Sequence, residues 1–435
     1  MRIPEILLIE SEHKPGSLAK VLQVIGEAGI VVEHLHSLRR HQDKTVWEVT
    51  LEMDEDADRS LYDKINALPN AKIIGKSDRV FDRHKGGKIE MVSKVPLDAI
   101  QQLRDLYTPG VARVSLAIQK DPAKAWEYTN LGNTVGIITN GTAVLGLGDI
   151  GPLAGLPVME GKSMIYAKFT GISGIPILLS DKDPKKVIET VLAIESSFGA
   201  IHLEDIGAPG CFEIEEELVK RLKKPVLHDD QHGTAVVTLA GLISASQRVK
   251  RDLKSCVVGQ IGLGAAGIGI VRLLARYGVK AVLGADKREE ALLRIERMGG
   301  ERATLDQLMQ QADIVIATTG VKGLIKPEMV RKGQIVFALS NPEPEISARL
   351  ALEAGAAYAT DGRSVNNALG YPALFRGALD ARARCFTDAM LFAAAAKLAE
   401  LAPQDELLPE PLDRHVHAAV AEAVKEAALK SGACS

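Results

Sequence analysis

Two short stretches, Ile201-His-Leu-Glu-Asp-Ile-Gly-Ala-Pro209 and Pro225-Val-Leu-His-Asp-Asp-Gln-His-Gly-Thr-Ala235, decide how the rest of this sequence is interpreted. Each is a short apolar run that ends on paired acids, Glu204-Asp205 in the first and Asp229-Asp230 in the second. Ligands of an open parallel sheet collect at the carboxyl ends of its strands, so two neighbouring strands of this kind would direct several carboxylates at one point. Carboxylates at such a short distance from one another raise each other's pKa unless a cation lies between them. Oxygen ligands alone suit a hard divalent ion such as Mg2+ or Mn2+.

The same acids also have a purely structural interpretation. Asp229-Asp230 can cap the N-terminus of a helix, and Glu204-Asp205 can lie in an ordinary loop. Their spacing alone does not separate the two interpretations, so the rest of the chain has to decide between them.

Length and composition exclude several classes of protein. A chain of 435 residues is long enough for two or three domains, since single domains mostly run about 100–200 residues. With 46% hydrophobic residues it can bury large cores, and a formal net charge of -3 gives no general attraction to nucleic acid or membrane surfaces. The sequence has no bilayer-length apolar run, no signal-peptide core and no Cys-x-x-Cys pair among its four cysteines. We expect a reduced, soluble, cytoplasmic protein without nucleic-acid or membrane partners.

Residues 1–83 have the pattern of a small α+β domain. A strand at residues 5–10 precedes a helix, and two strands, a second helix and a closing strand near residues 71–75 follow. This order is the split βαβ, or ferredoxin-like, arrangement. The turn Lys14-Pro-Gly16 that leads into the first helix resembles the ACT family of regulatory domains, which implies a small-molecule effector. A ferredoxin-like domain that serves only dimerisation is the alternative.

Residues 84–240 are predicted to form a catalytic domain with a mostly parallel sheet, because apolar runs alternate with helical patterns from residue 175 onward. Asn140-Gly141 predicts a hairpin between strands at 134–139 and 142–147. Glu160-Gly-Lys-Ser-Met164 predicts the beginning of a helix.

Residues 241–435 are predicted to form a doubly wound Rossmann domain with C-terminal helices. The run Gly262-Leu263-Gly264-Ala265-Ala266-Gly267 follows a buried strand and precedes a helix, as a dinucleotide fingerprint requires. Asp286 ends the next strand, where an acid would bind a ribose hydroxyl and favour NAD. NADP stays possible because Lys287-Arg288 follows directly, and a glycine-rich packing turn is the structural alternative.

Four stretches together resemble the malic enzyme family, over residues 90 to 400 and in the expected order. They are Tyr107-Thr-Pro-Gly-Val-Ala112, Leu145-Gly-Leu-Gly-Asp-Ile-Gly151 with Met159-Glu-Gly-Lys162, the two acidic stretches, and the glycine fingerprint. The resemblance implies a divalent-metal-dependent oxidation and decarboxylation of malate to pyruvate, and an ACT-type extension at the N-terminus.

The resemblance also implies a role for individual side chains. It implies Glu204, Asp205 and Asp230 as ligands of Mg2+ or Mn2+, Asp229 as their neighbour, Lys162 as the general base, Tyr107 as the acid that protonates the enolate, and Asn341 and Asn367 (or Asn366) as substrate contacts. A desolvated lysine beside a cation can have its pKa lowered toward the working pH.

Two departures from the family pattern concern the anchoring of the substrate carboxylates. Ala143 occupies the position where many large members carry an arginine, and the run Gly362–Asn367 is shorter than the family's usual loop. We therefore expect an NAD(P)-dependent malic enzyme that forms a homodimer or homotetramer. The alternatives are an oxidative decarboxylase of a related 2-hydroxy diacid and a catalytically silent regulator that binds an effector and a nucleotide.

Overall fold

The computed structural model divides into two compact units, Met1–Lys88 and Ile89–Ser435. It describes residues 3–53, 60–144, 146–341, 343–362 and 365–434. Among these residues no helix is both long and apolar enough to cross a bilayer.

The first unit is a four-stranded antiparallel sheet, in the order β2-β3-β1-β4, with two helices packed on one face. Alternate residues of β1, Leu7 and Ile9, face these helices, and Val21 and Ile25 lie one turn apart on the buried side of α1. The succession of elements and the strand order confirm the predicted ferredoxin-like domain. Its elements are β1 (Ile3–Glu12), α1 (Ser17–Glu27), β2 (Val31–His41), β3 (Lys44–Met53), α2 (Ser60–Asn66), β4 (Ala71–Lys76) and α3 (Arg79–His84).

The second unit begins with a parallel four-stranded sheet, in the order β6-β5-β7-β8. Strands β5, β7 and β8 are completely buried, as is usual in a parallel sheet, whereas the edge strand β6 is mostly half-buried. The elements of this part are α4 (Ile100–Leu106), α5 (Val111–Lys120), α6 (Ala125–Tyr128), β5 (Thr134–Thr139), α7 (Pro152–Thr170), β6 (Ser173–Leu178), α8 (Pro184–Ile194), β7 (Ala200–Leu203), α9 (Gly210–Arg221), β8 (Val226–His228) and α10 (Asp229–Arg248).

A six-stranded parallel sheet follows, in the order β11-β10-β9-β12-β13-β14. Counted from its first strand, this is the 3-2-1-4-5-6 order of a Rossmann fold, which confirms the predicted doubly wound sheet. Its elements are β9 (Val257–Ile261), α11 (Ala265–Tyr277), β10 (Ala281–Ala285), α12 (Glu289–Arg297), β11 (Glu301–Arg302), α13 (Leu305–Gln311), β12 (Ile314–Ala317), β13 (Ile335–Ala338), α14 (Ala348–Glu353) and β14 (Tyr358–Asp361).

Three C-terminal helices complete the second unit: α15 (Tyr371–Asp380), α16 (Asp388–Leu401) and α17 (Arg414–Lys430). They pack on α10 and α7 and contribute fully buried residues such as Phe375 and Val424 to the main core. α10 passes close to α11 at Gly269, where an added Cβ would lie 2.3 Å from the carbonyl oxygen of Gln231. The two helices therefore touch backbone to backbone.

Two local predictions were wrong. β5 pairs in parallel with β6 on one side and β7 on the other, so it has no free edge for the predicted hairpin. Described residues 142–144 and 146–147 instead form a turn, closed by a single bridge between Val144 and Gly148. The helix predicted to begin near Glu160 begins at Pro152, which places Lys162 in its middle.

Candidate active site

Three carboxylates converge where β7 and β8 end. The two strands are parallel neighbours, with Leu203 opposite His228, so the residues that follow them meet at one edge of the sheet. Glu204, Asp205 and Asp230 each offer a carboxylate oxygen within 4.8 Å of the others. The structure thus brings together the three predicted metal ligands, although their role as ligands stays a prediction.

The backbone of Asp205 has a φ of 53°, in the left-handed region that non-glycine residues rarely adopt. Its N–H donates to Asp230 Oδ2 at 3.0 Å, and its carbonyl accepts from the N–H of Ala143 at 3.0 Å. A left-handed residue costs roughly 1–2 kcal/mol, and such strain persists where the surroundings hold it. These two contacts direct Asp205 toward the other acids. Ala143 therefore contributes its backbone here.

The acids are electrostatically disfavoured as a bare cluster. Burial raises the pKa of Asp230, and the charge of Glu204 raises it further. A hard divalent cation would relieve this repulsion and accept three carboxylate oxygens, so the residues fit Mg2+ or Mn2+.

Lys162 lies directly beside these acids, with 8% of its surface exposed. Its Nζ is 2.6 Å from Asp229 Oδ2 and 3.0 Å from Glu204 Oε1, and it lies 4.5 Å from the centre of the Tyr371 ring. Burial alone would lower the pKa of Lys162, but the charges of Asp229 and Glu204 raise it well above its ordinary range. A neutral lysine, as a base requires, therefore needs an additional positive charge beside these carboxylates.

The two predicted substrate asparagines lie in different surroundings. Asn367 Nδ2 donates to Asp229 Oδ2 at 2.8 Å, so Asn367 joins the cluster of Lys162, whereas Asn366 caps the short turn that follows it. Asn341 Nδ2 donates to the carbonyl of Gly362 at 3.3 Å. Residues 363 and 364 of the short loop lie outside the described residues.

Tyr107 is the predicted residue that the structure does not bring to the cluster. It follows α4, and 68% of its surface is exposed. Among the described hydrogen bonds and ring contacts none joins it to Lys162.

The glycine fingerprint forms the expected cradle at the beginning of α11. Gly262 has a φ of 85°, and an added Cβ there would lie 2.7 Å from the carbonyl oxygen of Thr318. At Gly267 a Cβ would lie 1.9 Å from the carbonyl oxygen of Gly262, whereas at Gly264 it would meet no atom within 4 Å. The first and third glycines thus close the turn. The second leaves open space in front of the helix N-terminus, where a pyrophosphate would bind.

Asp286 lies beside this cradle but is already engaged by protein groups. It accepts from the N–H of Leu263 at 2.7 Å and from the guanidinium of Arg288 at 3.1 Å. Burial alone would raise the pKa of Asp286, but these hydrogen bonds lower it to about 2. A ribose hydroxyl that binds this carboxylate would replace the guanidinium of Arg288.

Comparisons with known proteins agree with this geometry. Residues 86–183 match the malic enzyme N-terminal domain, residues 231–310 the malic enzyme NAD binding domain, and residues 6–70 the ACT domain. The chain is 50% identical over 426 residues to NAD-dependent malic enzyme 1 of Bacillus subtilis, and the match covers 97% of each protein. The chain belongs to the malic enzyme family.

Other malic enzymes are similar to this chain in sequence and structure. NAD-dependent malic enzyme of Geobacillus stearothermophilus is 40% identical, and the match covers 96% of this chain and 92% of that protein. The crystal structure of malic enzyme from Pyrococcus horikoshii is 39% identical with a TM-score of 0.78, and covers 82% of this chain and 91% of its own. The crystal structure of NAD-dependent malic enzyme from Thermotoga maritima is 37% identical with a TM-score of 0.75. That match covers 80% of this chain and 99% of the other. The predicted family, ACT extension and NAD-binding domain are confirmed.

Three buried aromatic residues of this malic enzyme were not predicted as part of the site. His202 and Tyr166 lie behind Glu204, and Tyr371 lies against Lys162. Burial lowers the pKa of His202 to about 3. In the sequence, His202 is a polar residue inside an apolar strand, which was the one signal that could have identified it.

Cofactor choice in this malic enzyme should depend on two neighbouring residues with opposite effects. Asp286→Ser should lower the preference for NAD over NADP by about tenfold or more, because a hydrogen bond to a charged group contributes roughly 1.5–3 kcal/mol. Arg288→Ser should raise that preference, because it removes a cation that could pair with a 2′-phosphate. Steady-state kcat/KM with each cofactor measures both effects. A wild-type preference for NADP would show that Arg288, rather than Asp286, dominates.

Proposed function

We propose that this chain oxidises and decarboxylates malate to pyruvate and CO2, reduces NAD, and depends on Mg2+ or Mn2+. The observation that carries this proposal is the convergence of three acids at the carboxyl edge of a parallel sheet, where one of them, Glu204, contacts the buried Lys162. The next sheet of the same unit presents a dinucleotide cradle. No observation favours the related diacid or the silent regulator, and a silent protein would have no need of Lys162 buried between two carboxylates.

The residues of this chain would divide the chemistry among them. Glu204, Asp205 and Asp230 would hold the divalent ion, which when bound polarises the substrate oxygen and stabilises developing enolate charge. Lys162 takes the proton of the C2 hydroxyl while hydride leaves for the nicotinamide. The bond between C3 and its carboxylate then breaks, CO2 leaves and an enolate forms, and Tyr107 delivers a proton to C3 of that enolate.

Substrate and cofactor would be positioned by further groups of the same unit. Asn341 and Asn367 contact the substrate, and the backbone N–H groups at the beginning of α11 hold the pyrophosphate. We keep the division into domains 1–83, 84–240 and 241–435 as a proposal, in which α10 joins the second domain to the third. We also propose a cytoplasmic location, since the four cysteines are all free thiols.

We further propose that two copies of the chain complete each other's active sites. The segment that carries Tyr107 exposes many large apolar side chains, and exposed apolar patches of this kind mark interfaces. They include Met91, Val92, Leu97, Ile100, Leu103 and Leu116. A second copy that covers this segment would bury these side chains and receive Tyr107 beside its own Lys162.

Substrate choice can be tested by following the absorbance of reduced cofactor. With Mn2+ and NAD, we expect turnover of malate and none above background with tartrate or isocitrate. Equal or faster turnover of either other acid would contradict the proposed substrate.

The metal site can be tested with Asp230→Asn, which keeps the side-chain size but removes one charge. Mn2+ affinity should fall by more than the roughly 10–100-fold that the loss of an outer-shell partner costs. Binding of NAD should change little, because the cradle does not involve Asp230. Electron paramagnetic resonance measures the affinity for Mn2+, and titration calorimetry measures the affinity for NAD. Asp306→Asn, the same change at an exposed position on α13, is the control. An unaltered Mn2+ titration in Asp230→Asn would place the ion elsewhere.

The N-terminal unit is proposed to regulate rather than catalyse. β2 is an edge strand that exposes Val31, Leu35 and Leu38, a surface suited to pairing with a second copy or to closing over an effector. A protein that begins at Ile89 should keep Mn2+-dependent turnover and lose its response to effectors, which a screen of amino acids and organic acids would detect in the full chain. A folded but inactive truncation at saturating substrate would contradict this modular proposal.

A further inference from the structure

A buried chain of three side chains lies behind the proposed metal ligand Glu204. The hydroxyl of Tyr166 is 2.8 Å from His202 Nδ1, and His202 Nε2 is 2.5 Å from Glu204 Oε2. All three side chains are almost completely excluded from solvent. This series of hydrogen-bonded side chains runs from α7 through β7 to the end of the sheet where the acids converge.

The chemistry of the partners sets the direction of these hydrogen bonds. An ionised carboxylate can only accept, so the hydrogen of the imidazole lies on Nε2 and points at Glu204. His202 Nδ1 is then the acceptor, and the hydroxyl of Tyr166 donates to it. The carboxylate therefore sets the tautomer, and the hydroxyl of Tyr166, which can donate or accept, stabilises it by donating to Nδ1.

The imidazole ring has little freedom to turn. It stacks on Phe375 with a centroid distance of 5.4 Å and an interplanar angle of 8°, and the Tyr371 ring meets it edge-on at 5.3 Å. His202 also lies within β7, which is bonded to β5 and β8 on its two sides. The orientation of the Nε2–H bond is thus determined by packing.

Glu204 is held from two sides as a result. Its Oε1 faces Lys162 Nζ at 3.0 Å, and its Oε2 accepts from His202. The atoms of His202, Glu204 and Asp229 are also close enough to hold an ion themselves. The ammonium of Lys162 already contacts both carboxylates of that group, and His202 Nε2 is directed at one of them. A positioning role therefore fits His202 better than a role as ligand.

We propose that His202 is the positioning residue of Glu204, and that Tyr166 stabilises its tautomer and orientation by donating to Nδ1. This inference rests on the proposed metal site at Glu204, Asp205 and Asp230. It assigns His202 a measurable share in metal affinity, although the residue touches neither substrate nor cofactor. Loss of an outer-shell partner typically lowers metal affinity by 10–100-fold.

Two substitutions at position 202 separate positioning from simple packing. The amide of glutamine reaches the place of Nε2 and can still donate to Glu204, whereas the amide of asparagine reaches only the place of Nδ1. In the full-length protein, His202→Asn should weaken Mn2+ binding by about 10–100-fold, as measured by electron paramagnetic resonance. His202→Gln should restore it to within a few-fold of wild type. KM for malate should follow Mn2+ affinity at subsaturating metal.

Controls keep the outcomes distinguishable. Wild-type Mn2+ affinity in His202→Asn, or an equal loss in both variants, would overturn the positioning role. Thermal unfolding identifies a variant that does not fold. If His202→Asn does not fold, Tyr166→Phe takes its place: weaker Mn2+ binding supports the inference, and unchanged binding overturns it. Asp230→Asn is measured in parallel, because unchanged Mn2+ binding there refutes the metal site itself rather than the role of His202.

Discussion

Lys162→Ala is expected to lower the rate of malate oxidation by about 10²–10⁴-fold, the usual contribution of a general acid–base residue. The substitution removes the group that takes the hydroxyl proton as hydride leaves. Oxaloacetate has no hydroxyl to deprotonate, so its decarboxylation by the same variant should be much less affected. Two assays on one preparation, NADH formation from malate and CO2 release from oxaloacetate, measure the difference.

The control for Lys162→Ala lies on the same helix. Lys168→Ala removes an equal charge from the exposed part of α7 and should leave both reactions unchanged. Removal of Lys162 also leaves Asp229 and Glu204 without their cation, so the variant's stability and Mn2+ affinity should be measured beside its rates. Malate oxidation by Lys162→Ala near the wild-type rate would refute its role as the base.

Tyr107→Phe is expected to impair pyruvate formation by about 10²–10⁴-fold while hydride transfer stays comparatively intact. The reason is that the phenol acts after oxidation and decarboxylation, when C3 of the enolate needs a proton. Single-turnover experiments that follow NADH and pyruvate separately distinguish the two steps. A variant that stops hydride transfer instead would reverse the roles of Tyr107 and Lys162.

Mixed dimers of the two inactive variants test whether Tyr107 acts across the interface. If each site combines Lys162 of one copy with Tyr107 of the other, a mixed dimer has one site with both native residues and one with neither. Each purified mixed dimer would then keep roughly half of the wild-type activity, because one of its two symmetry-related sites is intact. If both residues come from one copy, every site keeps one defect and mixing restores nothing. Doubly tagged dimers, purified after co-expression, provide the sample.

The features of this protein that could be predicted are those in which a short stretch of sequence also determines where its residues lie in the fold. Glu204 and Asp230 follow short apolar strands, and parallel strands bring their carboxyl ends together wherever they are neighbours. Gly262, Gly264 and Gly267 were predictable for a similar reason, since their spacing serves one turn and one helix. The proposed sites of metal and nucleotide thus follow from short local patterns.

Other features depend on contacts between residues distant in sequence. Asn140-Gly141 is a strong hairpin signal, but β5 already has partners on both edges, so tertiary pairing overrides the turn. His202 and Glu204 are two residues apart, but the orientation of the His202 ring depends on Tyr166 and Phe375, and neither is near it in the sequence. The role of Tyr107 is a prediction from resemblance, and a motif does not state which copy of the chain it would serve.

The close passage of α10 and α11 at Gly269 also fixes the distance between the first turns of these two helices. α10 begins beside Asp230, one of the three acids proposed to hold the ion, and the beginning of α11 forms the proposed nucleotide cradle. In the proposed mechanism, main-chain atoms would therefore set the spacing between malate and nicotinamide, and main-chain atoms do not change rotamer. One extra methyl group at Gly269 would push the two helices apart without altering any side chain that is proposed to bind a ligand. The distance for the proposed hydride transfer would thus depend on a helix crossing that lies behind the groups proposed to meet the substrate.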